Sequence, residues 1–403
     1  MKIIFISDNF PPEVNAPASR TYDHCRRWVE KGAEVTVITC APNFPQGKVY
    51  EGYKNRLYQS EMVDGIRVIR VWSYMTSNEG FFKRILDYIS FSFMAFWACL
   101  FRSSDVIVAT SPQFFTTFTA YALSKLKRLP WVFELRDLWP DTVKAVGAMK
   151  DGIFIRVFEC IEIFLYHDAD LIIPVTDRFK ENLTSRGIDA DKIRVVTNGV
   201  LRDKFVPVGK DPQLVKQLGL ENKFVFGYIG THGMTHGLDF IVESIAEVEC
   251  ERVHFLFVGA GACKQMIVNL AKNLELKNVT FLDPVPKDEV VRYLSVIDAA
   301  LVPLKESPVF RTVLPSKIFE SAAMKKPILL GVDGQARQLV EKYHSGLFFQ
   351  PENKNAFLDG VERMIKDEKL YAQLQEGGRE LAVDFDRNTL ADVMMNELGS
   401  LQN

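Results

Sequence analysis

Two histidines and four glycines stand close together in the segment GYIGTHGMTHGLDF. A metal site would need a helix that carries both His232 and His236 and a third ligand, and the intervening Gly233 disfavours that helix. Glycine lets the backbone approach a ligand closely, and the first N–H groups of a helix bind phosphate. We therefore expect a phosphate-binding loop, or a plain turn, between a strand that ends at Gly230 and a helix that begins near Gly237.

A second segment, FRTVLPSKIFESAAMKKPILL (310–330), carries groups that suit the charged and sugar parts of a nucleotide. Pro315 fits the first turn of a helix, where its missing N–H costs nothing. Ser316 and Lys317 would then lie at the positive end of that helix, which suits a diphosphate. Glu320 lies one turn further on the same face, where a carboxylate can accept two hydrogen bonds from a ribose diol. The alternative is a surface pair between Lys317 and Glu320, worth about 0.2–0.5 kcal/mol.

Both segments belong to a chain in which apolar runs of strand length alternate with helical patterns. The first half contains runs that are rich in Val and Ile and apolar on both faces: 2–7, 34–39, 66–72, 105–110, 131–135, 171–175 and 193–197. The pattern restarts further along, with runs at 223–230, 253–259, 278–282, 299–304 and 327–331. Buried parallel strands have this composition, and strands that alternate with helices build a doubly wound sheet, which binds ligands at the carboxyl ends of its strands.

The chain is long enough for two domains of about 200 residues each. We predict an α/β fold with an N-terminal Rossmann-like domain, 1–200, and a C-terminal Rossmann-like domain, 201–380, with a polar linker near 199–222. The two doubly wound parallel sheets would face each other across an interdomain cleft. The C-terminal helical patterns have no strand between them, so we expect the last segment, 381–403, to cross back to the first domain.

Composition and charge limit the possible partners. The net charge of −2 argues against a general nucleic-acid binder, although residues 1–150 hold 19 Lys and Arg against 14 Asp and Glu, a net of +5 that suits an anionic surface or substrate. The six cysteines form no C-x-x-C pair or disulfide framework, which indicates a reducing, cytoplasmic compartment. The N-terminal MKIIFISDNFPP is interrupted too early, by Asp8 and Pro11, to be a signal peptide.

The segment FFKRILDYISFSFMAFWACLFR, residues 81–102, is the most aromatic in the chain. Its uninterrupted apolar run of 14 residues is too short to span a bilayer. The basic residues Lys83, Arg84 and Arg102 flank the run. The segment is therefore either an amphipathic helix that rests on anionic lipid or a core helix packed on the sheet, and both interpretations stay open.

Several motifs follow one another in a distinctive order along nearly the whole chain: PPEVNAPASR, EKGAEVTVIT, RDLWPD, VTNGV, GYIGTHG, FVGAGA, VPKDEV, LPSKIFESAAMKKPIL and SGLFF. Their order and spacing are similar to those of the retaining GT-B glycosyltransferases of family GT4. The resemblance is nearest to the branch that builds bacterial O-antigen and capsule repeat units, which includes N-acetyl-L-fucosamine transferases.

The resemblance implies a glycosyltransferase (EC 2.4) that moves a sugar, with N-acetyl-L-fucosamine as a candidate, from a UDP-sugar with retention of configuration. It implies a polyprenyl-diphosphate-linked sugar as the acceptor, in O-antigen or capsule polysaccharide biosynthesis, and peripheral contact with the inner face of the cytoplasmic membrane. It also implies no cofactor and no required metal, which agrees with the lack of a D-x-D motif in a suitable loop. Fixed donors and Lys317 would stabilise the leaving-group charge instead.

The resemblance further implies which residues form the site. The catalytic candidates are Lys317, Arg136 and Asp137. Asp137 follows the strand WVFEL, where it would orient an acceptor hydroxyl or the donor sugar, or else would only cap the chain or pair with Arg136. The donor nucleotide-sugar would contact a set of loop and helix-terminal residues, in which Pro284 and Val285 bind the base through their backbone: Asn15, Gly230, Thr231, His236, Gly259, Pro284, Val285, Arg311, Pro315, Ser316 and Glu320.

Some positions depart from the family pattern. Thr312 occupies the first of two acidic positions eight apart, of which Glu320 is the second. Thr231 and His236 stand where many members carry a basic pair, Arg136 replaces a usual histidine, and Asn15-Ala16 replaces a Gly-Gly pair. The diphosphate charge would therefore be met chiefly by Lys317 and helix N-termini, with Arg311 or His236.

Two other functions share these features. One is a sugar-nucleotide 2-epimerase of the same architecture, and the other is a degenerate transferase that only binds a ligand or partner. A dinucleotide-dependent dehydrogenase is disfavoured because NFPPEVNAP, and not G-x-G-x-x-G, follows the first strand.

Overall fold

The structure, a computed structural model, describes residues 1–44, 46–76, 81–111, 114–138 and 152–402. The last three residues of the motif RDLWPD, 139–141, lie outside the described residues. The chain folds into two compact units. The first contains Met1–Thr197 and Arg387–Asn403, and the second contains Asn198–Asp386.

The first unit is built on a mostly parallel sheet. Its strands are β1 (Lys2–Ile6), β2 (Glu34–Cys40), β3 (Tyr58–Val63), β4 (Ile66–Val71), β5 (Val106–Thr110), β6 (Trp131–Leu135) and β7 (Leu171–Pro174). Its described helices are α1 (Ala16–Glu30), α2 (Phe81–Leu100), α3 (Phe115–Lys127), α4 (Ile153–Asp168) and α5 (Asp177–Ser185). The strand order is β3-β4-β2-β1-β5-β6-β7, and only the β3–β4 pair is antiparallel within it.

The second unit is built on a sheet whose paired strands are parallel. Its strands are β8 (Phe224–Ile229), β9 (Val253–Val258), β10 (Val279–Leu282), β11 (Ala299–Pro303), β12 (Ile328–Gly331) and β13 (Gly346–Phe348), in the order β10-β9-β8-β11-β12-β13. Its helices are α6 (Pro212–Leu218), α7 (Leu238–Ile245), α8 (Lys264–Asn273), α9 (Val290–Val296), α10 (Ser316–Ala323), α11 (Gln335–Lys342), α12 (Lys354–Lys366) and α13 (Glu368–Asp384).

Helices cover both faces of the central strands, which explains why those strands are apolar throughout. All residues of β5, β6 and β9 are buried. In the first unit, one core cluster lies on each face of the sheet, and the same holds for the second unit. The predicted α/β fold with two doubly wound parallel sheets is therefore confirmed.

Three details of the strand prediction differ from the structure. The edge strand β13 was not predicted, because it has only three residues and all of them are partly buried. The edge strand β3 was not predicted, because its sequence YQSEMV is partly exposed along its whole length and carries little apolar signal. Residues 193–197 were predicted as a strand, which is wrong. They run beside β7 and donate Arg194 N to Ile172 O and Val196 N to Pro174 O, but the Arg20 guanidinium takes the carbonyls of Val196 and Thr197.

The chain returns to the first unit through the helix α14 (Arg387–Ser400). This helix packs on α1, where the Trp28 indole N–H donates to the Ala391 carbonyl at 2.8 Å. The Arg27 guanidinium forms two 2.9 Å bonds to the Asp392 carboxylate. The C-terminal helix thus completes one face of the first core.

Candidate functional site

The glycine loop of the second unit, Gly230–Gly237, lies in close contact with a second backbone segment, Gly259–Gly261. A Cβ atom added to Gly259 would lie 1.9 Å from the Gly230 carbonyl oxygen, and one added to Gly261 would lie 2.4 Å from the His232 carbonyl oxygen. Gly230, Gly259 and Gly261 also have φ values of 146°, 148° and 157°, which L side chains rarely adopt. Only glycine fits at these positions, so the ends of β8 and β9 meet without side chains between them.

Lys317 lies directly against this glycine loop. A Cβ atom added to Gly230 would lie 2.7 Å from the Lys317 Nζ, and the Nζ is 4.8 Å from the centre of the Tyr228 ring. Burial lowers the pKa of the Lys317 ammonium, and the Glu320 carboxylate raises it again in part. The structure therefore holds a cation in a poorly hydrated place beside bare backbone, which suits an anionic ligand oxygen.

Both histidines of the loop are neutral at physiological pH. Burial lowers the pKa of His232 and of His236 to about 4, with Lys264 and Lys317 contributing to the first shift and Lys317 to the second. His232 is fully buried, and neither of its ring nitrogens has a hydrogen-bond partner among the described residues. Among all the residues that the structure describes, no group of three or more His, Cys, Asp and Glu side chains is arranged to hold a metal ion.

The predicted nucleotide-binding residues of the second unit follow the carboxyl ends of neighbouring strands. Gly230 follows β8, Gly259 follows β9, and Pro284 and Val285 follow β10. The helix α10, which carries Lys317, follows β11 after a connection, residues 304–315, that contains a short 3-10 helix. In a parallel sheet these ends share one edge, so the strands collect the predicted residues on one side of the unit.

The remaining predicted residues of this unit lie around the same edge. Pro315 is the N-cap of α10 and Ser316 is its first residue, with φ of −60° at Pro315. Thr231 is exposed, and its carbonyl accepts a 2.6 Å bond from the Tyr228 hydroxyl. The Arg311 guanidinium is half-exposed and bonds the Glu306 carboxylate at 2.7 Å, so an anion would have to compete with Glu306 for it.

A second group of predicted residues lies in the first unit, after β1 and β6. Asn15 is the N-cap of α1. Its side-chain oxygen accepts from Ala18 N at 2.8 Å and its amide donates to the Asn9 side chain at 2.5 Å. Arg136 and Asp137 follow β6 directly, and both backbone N–H groups point at the Ser111 hydroxyl, at 2.8 and 3.3 Å. The loop after β1 and the end of β6 are thus each fixed by local hydrogen bonds.

The Arg136 side chain lies in a buried cluster of charges. Its Nη1 has no hydrogen-bond partner among the described residues. Burial lowers the pKa of the Arg136 guanidinium to about 10, although the Glu134 carboxylate opposes the shift. Burial raises the pKa of Asp8, which follows β1, and the positive charge of Arg136 opposes that shift. An unpaired, charged donor in such a place is suited to bind an oxygen of a ligand.

Three residues of these sites were not predicted from the sequence. Tyr228 lies under the Lys317 ammonium, and Lys264 joins the ends of β9 and β10. Glu134 forms a buried 2.8 Å ion pair with Arg20, with both side chains at most 3% exposed. An acidic residue inside the apolar strand WVFEL was the one available signal, because a buried carboxylate requires a partner.

Two family models together match most of the chain. Residues 15–199 match the glycosyl transferase 4-like domain, and residues 210–381 match the glycosyl transferases group 1 family. The two units are therefore similar to glycosyltransferase domains of the GT4-like and group 1 types, and the chain has the GT-B fold. The coarser part of the resemblance, a glycosyltransferase of the GT4 type, is confirmed.

Individual relatives are distant but extend over the chain. The putative colanic acid biosynthesis glycosyl transferase of Escherichia coli (strain K12) is 24% identical over 378 residues, 91% of this chain and 92% of that protein. A Campylobacter jejuni N-acetylgalactosaminyltransferase, whose name specifies a diphospho-undecaprenol-linked sugar, is 23% identical over 62% of this chain and 66% of that protein. Among solved structures, the sucrose-phosphate synthase of Thermosynechococcus elongatus matches with a TM-score of 0.80 and 18% identity, over 99% of this chain and 98% of that one. The Anabaena protein HepE in complex with UDP-glucose matches with a TM-score of 0.72 and 17% identity, over 99% of this chain and 100% of that one.

Proposed function

We propose that the protein transfers a sugar, with retention of configuration, from a UDP-sugar to a lipid-diphosphate-linked sugar in bacterial polysaccharide biosynthesis. The observation that carries the proposal is the contact between the Lys317 ammonium and the bare backbone at Gly230, at the start of α10. A diphosphate there would meet the ammonium together with the first N–H groups of the helix. The relatives' names and the UDP-glucose bound by HepE support this choice of donor and acceptor.

In this proposal the second unit holds the donor. The backbone at Pro284 and Val285 binds the base, and Glu320 binds the ribose. As the glycosidic bond to the diphosphate breaks, negative charge grows on the leaving oxygen, and Lys317 stabilises it from a poorly hydrated position. Because a fixed cation and helix N–H groups balance this negative charge, the proposed reaction requires no metal ion.

The first unit is proposed to hold the acceptor. The unpaired Nη1 of Arg136 donates to an acceptor oxygen, and Asp137, fixed through its backbone at Ser111, orients the attacking hydroxyl. Arg20 bonds both the Glu134 carboxylate of β6 and the Thr197 carbonyl, so it joins β6 to the end of the segment 193–197. The Arg20–Glu134 pair is a support for Arg136 and contacts no substrate.

Transfer itself is the test of this function. The protein is incubated with a panel of UDP-sugars, including UDP-N-acetyl-L-fucosamine, and a bacterial membrane lipid extract. We expect one UDP per sugar added to lipid, an anomeric configuration unchanged from the donor, and full activity in EDTA. Conversion of the donor to its C2 epimer without transfer, or nucleotide binding with no product from any donor, would contradict the proposal.

Helix α2 is proposed to hold the protein on the cytoplasmic face of the membrane. One face of the helix packs in the core, with Phe91, Ala95 and Cys99 fully buried. The opposite face exposes an apolar stripe that continues past the helix end: Leu86 55%, Ile89 46%, Phe93 61%, Trp97 50% and Phe101 86% exposed. The interpretation as a core helix therefore holds for one side of α2, while the apolar residues on the other side are exposed. Among the described residues, no helix is long and apolar enough to cross a membrane.

Charge and aromatic character make an anionic lipid surface the proposed occupant of this stripe. Lys83 and Arg84 are exposed at the start of the helix. Each basic residue near an anionic surface contributes about 1 kcal/mol, and the apolar stripe adds a part that salt does not screen.

Sedimentation with liposomes tests the membrane proposal. We expect binding to anionic vesicles that weakens as salt rises, a large loss of binding in Phe93→Ser/Trp97→Ser, and a loss confined to low salt in Lys83→Glu/Arg84→Glu. The control is Met234→Ser/Met266→Ser, two exposed methionines of the second unit, which should bind like wild type. A wild-type protein that ignores anionic vesicles at low salt, or equal binding by all variants, would refute the proposal.

A further inference from the structure

Lys264, the first residue of α8, forms three hydrogen bonds at the carboxyl edge of the second sheet. Its Nζ donates to the Gly259 carbonyl at 2.8 Å, the Leu282 carbonyl at 2.7 Å and the Asp283 carboxylate at 2.6 Å. An ammonium group has three protons, so these three acceptors use all of them. Lys264 is therefore not available to a phosphate in the way that Lys317 is.

The three acceptors lie where two strands stop pairing. The last register pair of β9 and β10 joins Val258 and Leu282, and beyond it Gly259 N still donates to the Leu282 carbonyl at 3.2 Å. Without Lys264, the Gly259 carbonyl and the Asp283 carboxylate would lose the bonds that the ammonium gives them. The chain after Leu282 would then be free to move away from the glycine loop.

The next two residues are Pro284 and Val285, which bind the base in the proposed function. Pro284 is exposed and Val285 is half-buried, and proline has no N–H with which to hold the segment in place. Asp283 is itself 93% exposed, and its bond to Lys264 is charge-assisted. The position of the base-binding backbone therefore depends on Lys264, whose side chain bonds the two residues directly before Pro284.

We propose that Lys264 is a positioning residue that sets nucleobase selectivity, by fixing Leu282–Val285 at the end of β10 against the glycine loop. The proposal rests on the proposed function, because it requires that a nucleoside diphosphate binds at this edge. Lys264 contacts neither the base nor the diphosphate, and its effect is transmitted by the backbone that it holds. Removing the Lys264 ammonium should weaken the selectivity for the base and should not change the rate of the bond-breaking step.

The experiment compares the affinities of UDP, CDP, ADP and GDP, measured by calorimetry in wild type, Lys264→Met and Asp283→Asn. All four ligands share the diphosphate, so a change of charge near the phosphates cancels in the ratio of their dissociation constants. We expect the preference for the best nucleotide to fall about tenfold in Lys264→Met, as for the loss of one hydrogen bond, and by a smaller factor in Asp283→Asn. Lys272→Met is the matched control, since Lys272 is exposed near the other end of α8 and should keep the wild-type preference.

Steady-state kinetics separate positioning from catalysis. In Lys264→Met the KM for the donor should rise while kcat at saturating donor stays within about twofold of wild type, because Lys317 still meets the leaving group. Because Asp283 is exposed, Asp283→Asn keeps the fold and still reports if Lys264→Met does not fold. Unchanged selectivity in Asp283→Asn and in any folded Lys264→Met, or a fall in kcat at constant KM, would overturn the proposal. A wild-type protein that binds no nucleoside diphosphate would instead overturn the proposed function.

Discussion

Replacing Lys317 with Met should separate the protein's stability from its ability to bind a nucleotide. Methionine has a similar length and no charge, so it fills the space beside Gly230 and Tyr228 without the ammonium. The variant loses the cation that would bond a diphosphate oxygen. A hydrogen bond to a charged group contributes about 1.5–3 kcal/mol, so the dissociation constant for UDP should rise roughly 10- to 150-fold.

The same change should not destabilise the protein without ligand. The lowered pKa of Lys317 means that its surroundings disfavour the charged form, so a neutral side chain removes a cost of burial. The lost contact with the Tyr228 ring, at 4.8 Å, opposes this gain by about 0.5–1 kcal/mol. We expect a free energy of unfolding that is unchanged or up to about 1 kcal/mol higher than in wild type.

The matched control is Lys342→Met. Lys342 is exposed on α11, and its Nζ lies 5.2 Å from the centre of the Tyr343 ring, so this variant also loses a lysine above a tyrosine. It should bind UDP like wild type. The assays are calorimetric titration with UDP and denaturant unfolding without it. Equal UDP affinities in both variants, or a Lys317→Met protein that is several kcal/mol less stable than wild type, would refute the reasoning.

Two further predictions concern buried titratable groups, one set in each unit. The pKa values of His232 and His236, about 4 against an ordinary 6.5, mean that the unfolded chain takes up protons first as the pH falls. The stability of wild type relative to His232→Gln/His236→Gln should therefore be constant above about pH 6.5 and fall towards pH 4, by about 3 kcal/mol per histidine, in unfolding measured across that range. In the first unit, Arg20→Met leaves the buried Glu134 carboxylate without its 2.8 Å partner and should lower the free energy of unfolding by about 3–5 kcal/mol. Arg26→Met, on the same helix but in a partly exposed pair with Glu30, should lose much less, about 1 kcal/mol or below, and similar losses in the two variants would contradict the structure.

Much of the fold could be predicted because buried parallel strands leave a strong pattern in the sequence. The central strands are short, mostly apolar runs such as VIVAT in β5 and FVFGYI in β8, and the glycine loop begins at Gly230 directly after β8, as predicted. The edge strands β3 and β13 were not predicted, because β3 mixes polar and apolar residues and β13 has only three residues. Residues 193–197 have the composition of a strand and bond β7 on one side, but the carbonyls of Val196 and Thr197 accept from the Arg20 side chain of α1.

The sequence could predict which loops form the candidate site, but it could not predict the side-chain contacts within the site. The rule that ligands bind at the carboxyl ends of parallel strands placed the glycine loop and the start of α10 together before any coordinates. It could not show that Tyr228 lies under Lys317, since that contact depends on the packing of β8 against α10. The Arg20–Glu134 pair joins residues 114 positions apart, and no local pattern reports a contact of that range.

A crystal structure of the protein with UDP would test the central claim most directly. The account predicts a phosphate oxygen within hydrogen-bond distance of the Lys317 Nζ, about 2.7–3.2 Å, and the uracil against the backbone that follows Leu282. It also predicts that Lys264 keeps its three bonds in that complex. A UDP molecule bound elsewhere on the protein, with Lys317 still facing only Tyr228 and the glycine loop, would contradict the account.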